Sequence, residues 1–420
     1  MIQRFRKKTY NFLRWGEKYT KTDNVYLAKG GFWSFIGQFS ASLIAFIFAI
    51  IVAQVLPKEV YGQYKYIISI VSILGMFSLS GLGTSVFQSI SRGFDGALQE
   101  GFWLNLRWSI LVFIGALGLF GYYLFLGNST LAIGILIGGC ATPFLVSSNL
   151  SGVFLFAKKD FRRQNIYFDI IENLLPFMLL VLTILITKNP AIIASVYFIS
   201  NTVVTFYLYR RVVKIYKPDA QKKDKGMLRY GKHLSLIGFL GGIVGNIDQV
   251  LLFHFVGPVE LAIYNFAIAI PDQTKGPLKT LDNMMQTNFA NRPESEIRTS
   301  MQNKNFWLFA GSLIFVIAYI LAAPLIFKIF FPQYISAVFY SQIYAVSLLS
   351  MSLIPANSYL ISKKLVREQY IANTVISIFK ISFLFVGVFF WGLIGLIVAR
   401  ALTRFTGSIV LHSMYKNKIQ

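Results

Sequence analysis

Five polar residues in one apolar stretch carry the strongest chemical signal in the sequence. Asp272, Lys275, Lys279, Asp282 and Gln286 follow spacings of 3, 4, 3 and 4. That spacing puts all five on one stripe of a helix. Charges at bilayer depth cost a few kcal/mol each and face a bundle interior or a wet cavity. Two arrangements satisfy them. Asp272–Lys275 and Lys279–Asp282 can neutralise each other as i,i+3 pairs, or the lysines can form a polar wall that attracts an anion. Pro271, Gly276 and Pro277 interrupt the helix nearby and free backbone groups that need polar or buried surroundings. With helix entry near Ile263, Lys275 lies about 18 Å along the axis, close to the bilayer middle.

Other ionisable residues fall within apolar stretches. Asp248 is flanked by Asn246 and Gln249. It is a carboxylate for a proton or sodium ion, or a structural hydrogen-bond acceptor. Asp272 and Asp282 are further candidates for ion coupling. Arg400 and Arg404 stand one turn apart on the last stretch, with Lys380 on the one before. They can hold an anion in a bidentate fork, or pair between helices and snorkel to headgroups. Lys29 and Arg92 flank the ends of the first two stretches and can guide an anionic headgroup inward, or serve as ordinary positive-inside residues. Asp169 and Glu172 read as acids in the first turns of the fifth stretch, near Arg162 and Arg163. His254 reads as an interfacial histidine and His233 as a cap on the neighbouring polar segment. Tyr64 and Tyr264 are placed in loops, for packing or for stacking on a sugar ring.

These side chains need elements that hold them in oil. The 420 residues are 55% hydrophobic and 14% charged, against about a quarter charged in soluble domains. Apolar runs of roughly 20 residues, enough to cross a bilayer, recur through the chain. We read spans at 33–55, 66–88, 104–126, 131–156, 167–187, 190–209, 233–256, 263–287, 306–326, 338–360, 372–391 and 393–413. Helices are required, because backbone groups in lipid must be satisfied within the segment. The runs are too long and too evenly apolar for barrel strands. The fold expected is an all-α polytopic membrane protein of about twelve transmembrane helices.

The formal charge of +23 sits in the loops, which argues for topology and against nucleic acid as a partner. Thirty Lys and Arg fall on the side holding the N-terminus. Four fall opposite (Lys58, Lys65, Lys188 and Lys328), and six lie within spans. By the positive-inside rule both termini are expected in the cytoplasm. Residues 1–32 form a basic amphipathic segment without a signal-peptide pattern. The single cysteine, Cys140, allows no disulfide within the chain and no multi-cysteine metal site. No cofactor is expected. Trp33, Trp103, Trp307 and Trp391 fall at span ends, as an aromatic belt would.

The polar stretch 210–232 divides the chain into halves at 33–209 and 233–413, with a tail at 414–420. Residues 56–70, LPKEVYGQYKYIISI, echo 256–270, VGPVELAIYNFAIAI, and Ser34–Gly37 echoes Ser235–Gly238. Six spans repeated once in the same orientation imply two six-helix bundles about a pseudo-twofold axis along the membrane normal. No complete Gly-x-x-x-x-Gly-Lys-Ser/Thr phosphate loop is present, since Gly226–Lys232 is followed by His233, and no loop is large enough for a soluble ATPase domain, so transport energy would come from a gradient.

The run Lys29–Arg92 resembles the first two spans of polysaccharide-export flippases, through Leu-Pro-x-Glu-x-Tyr-Gly-x-Tyr at 56–64 and Gly-Leu-Gly at 81–83. Gly245–Ala267 resembles their seventh and eighth spans, through Asp248 and Gly-x-x-x-x-Ala-x-Tyr at 257–264. The family is the O-antigen flippase type (Wzx) of the multidrug/oligosaccharidyl-lipid/polysaccharide exporter superfamily. The resemblance implies a V-shaped pair of bundles around a cavity lined mainly by the first, second, seventh and eighth helices. It implies a cargo of undecaprenyl diphosphate bearing an oligosaccharide, flipped across a bacterial inner membrane by alternating access. Lys275, Lys279, Arg400, Arg404, Lys29 and Arg92 would then meet the diphosphate or glycan, and Asp248, Asp272 and Asp282 would couple an ion. Membrane lipids are implied partners, with polysaccharide polymerase machinery a candidate one. No bond is made or broken, so no enzyme is expected. The rival within the superfamily is a cation-coupled drug antiporter, against which stands the scarcity of paired acids in the first half's membrane core.

Overall fold

A computed structural model of the chain describes residues 24–274, 278, 281–282, 285–286, 288–289, 293–363 and 365–419. All regular structure among these residues is helical. Nine of the described helices are long and apolar enough to cross a membrane, and three further spans follow from how the chain is broken. The 54-residue helix Val366–Ile419 is two spans joined by a reversal at Gly392, whose φ of 57° and ψ of −132° suit only glycine. Gly387 packs on Gly395, Ile376 on Gly407, and Glu368 pairs with Lys418 at 2.7 Å. These contacts step outward from the turn, so the two arms run antiparallel. The second span is split into Lys58–Gly75 and Leu82–Ser91. The eighth begins as Pro258–Asp272. Among the described residues, eleven of the expected spans and the start of the eighth are therefore present, in the expected order.

Helix starts differ from the expected ones for local reasons. Pro57 and Pro258 begin the second and eighth spans, each followed by an acid in the first turn, Glu59 and Glu260. Proline suits a helix start, and negative charge suits the N-terminal dipole. Tyr64 and Tyr264 consequently lie inside helices rather than in loops, 3% and 0% exposed. Asp160 caps the fifth span at Phe161 by accepting from the Arg163 backbone N–H at 3.0 Å. The sixth span continues to Tyr216 and the seventh starts at Met227. Both ends of the polar stretch 210–232 are thus helical, and only 217–226 lies between the helices.

We call the membrane side that carries residues 92–96, 158–160 and 217–226 the basic side. On the opposite side one apolar core crosses both bundles, joining Leu56, Tyr61 and Tyr64 to Leu261, Phe266, Phe331 and Tyr334. Gly62 lies against the Pro258 backbone there, in space no side chain could share. On the basic side the cores are separate. One gathers residues from Leu79 to Met227, the other residues from Phe289 to Tyr415. The second and seventh spans stay in contact across the whole depth. Tyr66 and Phe253 rings stack at 3.8 Å, Phe77 and Phe239 meet at 5.1 Å, and Ser85 Oγ donates to the Met227 carbonyl at 2.6 Å.

Candidate functional site

Among the described residues, Asp248, Asp272, Arg400 and Arg404 gather inside the second bundle. Asp248 on the seventh span is fully buried, and its carboxylate accepts from Arg400 Nη1 and from the Tyr264 hydroxyl. Arg400 sits on the twelfth span, seven residues after Leu393. Its Nη2 reaches Asp272 Oδ2 at 3.2 Å, and its Nε donates to the Tyr344 hydroxyl at 3.1 Å. The Tyr264 and Tyr344 rings each lie 5.6 Å from the guanidinium carbon. Arg404, one turn on, donates from Nη2 to Asp272 Oδ1 at 2.6 Å and from Nη1 to Ser347 Oγ at 3.1 Å. The Tyr344 hydroxyl also donates to Asp272 Oδ1, at 2.8 Å. Two guanidinium groups and two carboxylates therefore balance. Tyr264 and Tyr344 donate to the carboxylates, and Tyr344 and Ser347 accept from the guanidinium groups, which is what keeps buried charge tolerable in low dielectric.

Asp272 ends its helix, with Gln273 turning back on the Ile270 carbonyl at 3.1 Å. That position lies 14 residues, about 21 Å, past Pro258, so the network reaches the bilayer middle. The cluster unites the seventh, eighth, tenth and twelfth spans. It is rich in hydrogen bonds that depend on charge, and such bonds are about twice as strong as neutral ones.

The expected residues divide as follows. Asp248, Asp272, Arg400 and Arg404 come together in one site. Arg404 is held by Asp272 rather than directed at headgroups. Lys275 and Lys279 lie outside the described residues, as does any pairing of theirs; Asp272 takes Arg400 and Arg404 as described partners. Asp282 stands apart, accepting from Ser358 Oγ at 2.5 Å and Asn357 Nδ2 at 3.4 Å. Lys29 lies on the first helix at its basic-side end, and its side chain is outside the described residues. Arg92 is also apart. It pairs with Asp224 at 2.6 Å, and Ser89 Oγ donates to the same carboxylate oxygen at 2.7 Å. Together these bonds fasten the segment between the halves onto the first bundle. His233 bonds the Tyr370 hydroxyl at 3.2 Å on the eleventh span.

Tyr344 and Ser347 carry no charge and no motif, and sequence reasoning passed over both. Asp169 and Glu172 call for a correction. They lie 8 and 11 residues inside a span that starts at Phe161, not in its first turns, because the Asp160 cap moves the start upstream. Arg163 pairs with Asp160 at 2.9 Å instead. Asp169 lies against Gly37 of the first span, and Glu172 Oε1 accepts from Thr205 at 3.0 Å. Neither carboxyl has an ion pair among the described residues. The local backbone is a π-helix over Asn165–Ile171, a feature common at functional positions.

The comparisons with known proteins fit this architecture. No curated protein matches the sequence. An inward-facing multidrug resistance MATE family transporter of the MOP superfamily superposes with a TM-score of 0.69 at 14% identity, covering 90% of this chain and 94% of that one. An outward-facing structure of such a transporter gives 0.62 at 14% identity, with 94% and 95% covered. A MOP superfamily transporter from Pyrococcus furiosus, described with a binding pocket of reversed polarity, gives 0.62 at 15%, with 94% and 95% covered. At these identities the likeness establishes the fold alone, the two-lobed architecture of those transporters. Residues 27–270 match the model of the family described as polysaccharide biosynthesis protein. With more than half of its length matched, the chain belongs to the polysaccharide biosynthesis protein family.

Proposed function

We propose that the chain flips undecaprenyl-diphosphate-linked oligosaccharide units across a bacterial inner membrane by alternating access. The observation that carries this reading is the Arg400–Arg404–Asp272 cluster. It presents cations at the bilayer middle in a family tied to polysaccharide synthesis. The basic side is the cytoplasmic one under the positive-inside rule, which puts both termini in the cytoplasm. Residues 33–209 and 233–413 are the rocking lobes. Their separate cores on the basic side correspond to a cavity open to the cytoplasm, which suits the higher overlap with the inward-facing relative.

In this reading the diphosphate enters past Lys29 and Arg92 and meets Lys275 and Lys279. Arg404 then exchanges Asp272 for phosphate, since a guanidinium fork fits either anion. Asp272 released in this way becomes free to take a proton. Asp248, already neutralised by Arg400, couples only when that pair parts. Asp282, whose described partners are neutral, is the third coupling carboxylate. The isoprenoid tail stays in lipid throughout, and the polymerase machinery receives the unit outside.

Deleting the gene tests the proposal. Lipid-linked sugar units should accumulate on the cytoplasmic face while surface polymer disappears. A Lys275→Ala, Lys279→Ala variant that reaches the membrane should fail to restore export. Retained polymer in the deletion strain would sink the proposal. A cation-coupled multidrug antiporter is the second reading, favoured by Asp169 and Glu172 inside the first bundle. It requires drug sensitivity with polymer intact.

A further inference from the structure

One face of the eleventh span changes character along its length. Towards the Gly392 turn it buries Leu384 and Val388, 0% and 2% exposed, among the apolar core residues. Nearer the basic side the same face carries Tyr370, Asn373, Thr374 and Ser377, at helical spacings of 3, 4 and 7. Of these four, Tyr370 meets His233 of the seventh span. All four line a crevice of about 550 Å³ between the two spans, a size within the range of small-molecule sites. The seventh span supplies glycines there, Gly238 and Gly241, and a Cβ built on Gly241 would meet nothing within 4 Å. Leu236 and Leu240 complete the lining and are 76% and 50% exposed.

The polar groups of the crevice have no internal use. Hydroxyls on other spans bond back to their own helix, as Ser69, Thr142 and Ser195 do at 2.7–2.9 Å. Among the described residues nothing hydrogen-bonds Asn373, Thr374 or Ser377. Only Tyr370 is engaged, by His233. An amide and two hydroxyls without protein partners are costly in a membrane. Ser377 lies 11 residues, about 16 Å, beyond Val366, so the polar stripe runs about three turns along the helix from its basic-side end. The lining holds no carboxylate, lysine or arginine. It therefore lacks the charge to select a phosphate or a cation. What it offers is neutral two-way hydrogen bonding beside an aromatic ring and an imidazole.

We propose that this crevice binds neutral sugar hydroxyls, as the glycan subsite for the lipid-linked cargo. The inference rests on the transport reading above and adds to it a place for the sugar separate from the arginine cluster. Hydroxyls of a sugar can both donate to and accept from Asn373, Thr374 and Ser377. The exposed Leu236 and Leu240 border the crevice with an apolar rim suited to the carrier lipid.

The test uses the purified full-length chain in detergent and three probes. These are undecaprenyl diphosphate, the same lipid bearing a trisaccharide of neutral hexoses, and phosphatidylglycerol. Two or three net hydrogen bonds should make the glycan-bearing lipid bind about tenfold tighter than the bare diphosphate. Asn373→Leu with Thr374→Val and Ser377→Ala should erase that difference and leave binding of the bare lipid unchanged. Gly241→Leu, which fills the crevice without touching its polar groups, should do the same. A difference that survives in both variants overturns the subsite. So does an equal loss of both diphosphate lipids, because the crevice would then serve the carrier. Wild-type protein that binds the two diphosphates alike overturns the subsite but leaves the transport reading standing. Binding of neither above phosphatidylglycerol overturns both.

Discussion

Arg400 and Asp248 lie 152 positions apart and meet as an ion pair inside the second bundle. Asp248 is fully buried and the arginine side chain is 13% exposed. The pair makes the seventh and twelfth spans one mechanical unit. It also means that the carboxylate best placed for an external ion already holds an internal cation.

Removing the cation should cost more than removing the anion. Arg400→Met leaves a buried carboxylate with only the neutral Tyr264 hydroxyl and Gln249 backbone N–H as donors, and breaking a buried pair in this way costs about 3–5 kcal/mol. Asp248→Asn leaves Arg400 its bonds to Asp272 and Tyr344, so the loss should be smaller. The double variant should recover most of the Arg400→Met deficit. Thermal unfolding followed by size-exclusion fluorescence in one detergent gives the cycle. Additive losses would mean the two side chains do not depend on each other.

A second outcome concerns the closed side. Gly62 touches the Pro258 backbone, where a larger residue has no room. Gly62→Val should therefore wedge the lobes apart on that side and favour the state open to it. Gln333 Nε2 donates to the Gln54 carbonyl at 3.2 Å across the same interface. Cysteines at 54 and 333, in a Cys140→Ser background, should cross-link readily with Gly62 present and several-fold more slowly once the Gly62→Val substitution is added. An unchanged rate would show that the interface yields elsewhere.

How much of this was legible beforehand depends on the kind of information. Span count and order were readable because lipid demands long apolar runs, and the run before Gly392 and the run after it each show one. The charges were equally visible, since Asp248, Asp272, Arg400 and Arg404 are conspicuous in oil. Their pairing was not readable. The spacing of Asp272 and Lys275 is local, whereas Arg404 reaches Asp272 from 132 positions away, through a bundle geometry that spacing does not encode. Tyr344 was hidden for another reason: a tyrosine in an apolar span looks like packing until its hydroxyl is seen on Asp272. The fifth span misled because Asp160, a polar residue in a basic loop, set the helix start.

The segment joining the lobes should respond to pH through Asp224. Its carboxyl is held below the usual carboxylate range, chiefly by the Ser89 hydroxyl; burial opposes this, and the Gly226 N–H and the Arg92 charge lower it further. A depressed folded value means the stabilisation is complete above the unfolded value, about 3.9. It is lost as pH falls through the folded one. Backbone exchange of residues 217–226, corrected for intrinsic rate, should be protected at pH 7 and released near pH 2. Asp224→Asn should weaken protection at pH 7 without this pH dependence. Protection that is the same in the variant and the wild type would show that the Gly96 N–H bond to the Lys222 carbonyl, at 3.1 Å, suffices.

The turn at Gly392 sets the register of the last two spans and so the height of Arg400 and Arg404. Its backbone angles lie where a Cβ is strained, at a cost of about 1–3 kcal/mol for most side chains. Space is not the difficulty, because the nearest atoms to an added Cβ belong to Val256 at 3.7 Å and beyond. Gly392→Ala should therefore lower stability by strain alone. The Glu368–Lys418 pair at the far end of the hairpin reports whether register survives. Cysteines at 368 and 418, again in the Cys140→Ser background, should still cross-link in the alanine variant if strain only destabilises the turn. Loss of that cross-link together with loss of export would instead mean that the turn slips, carrying both arginines away from Asp272.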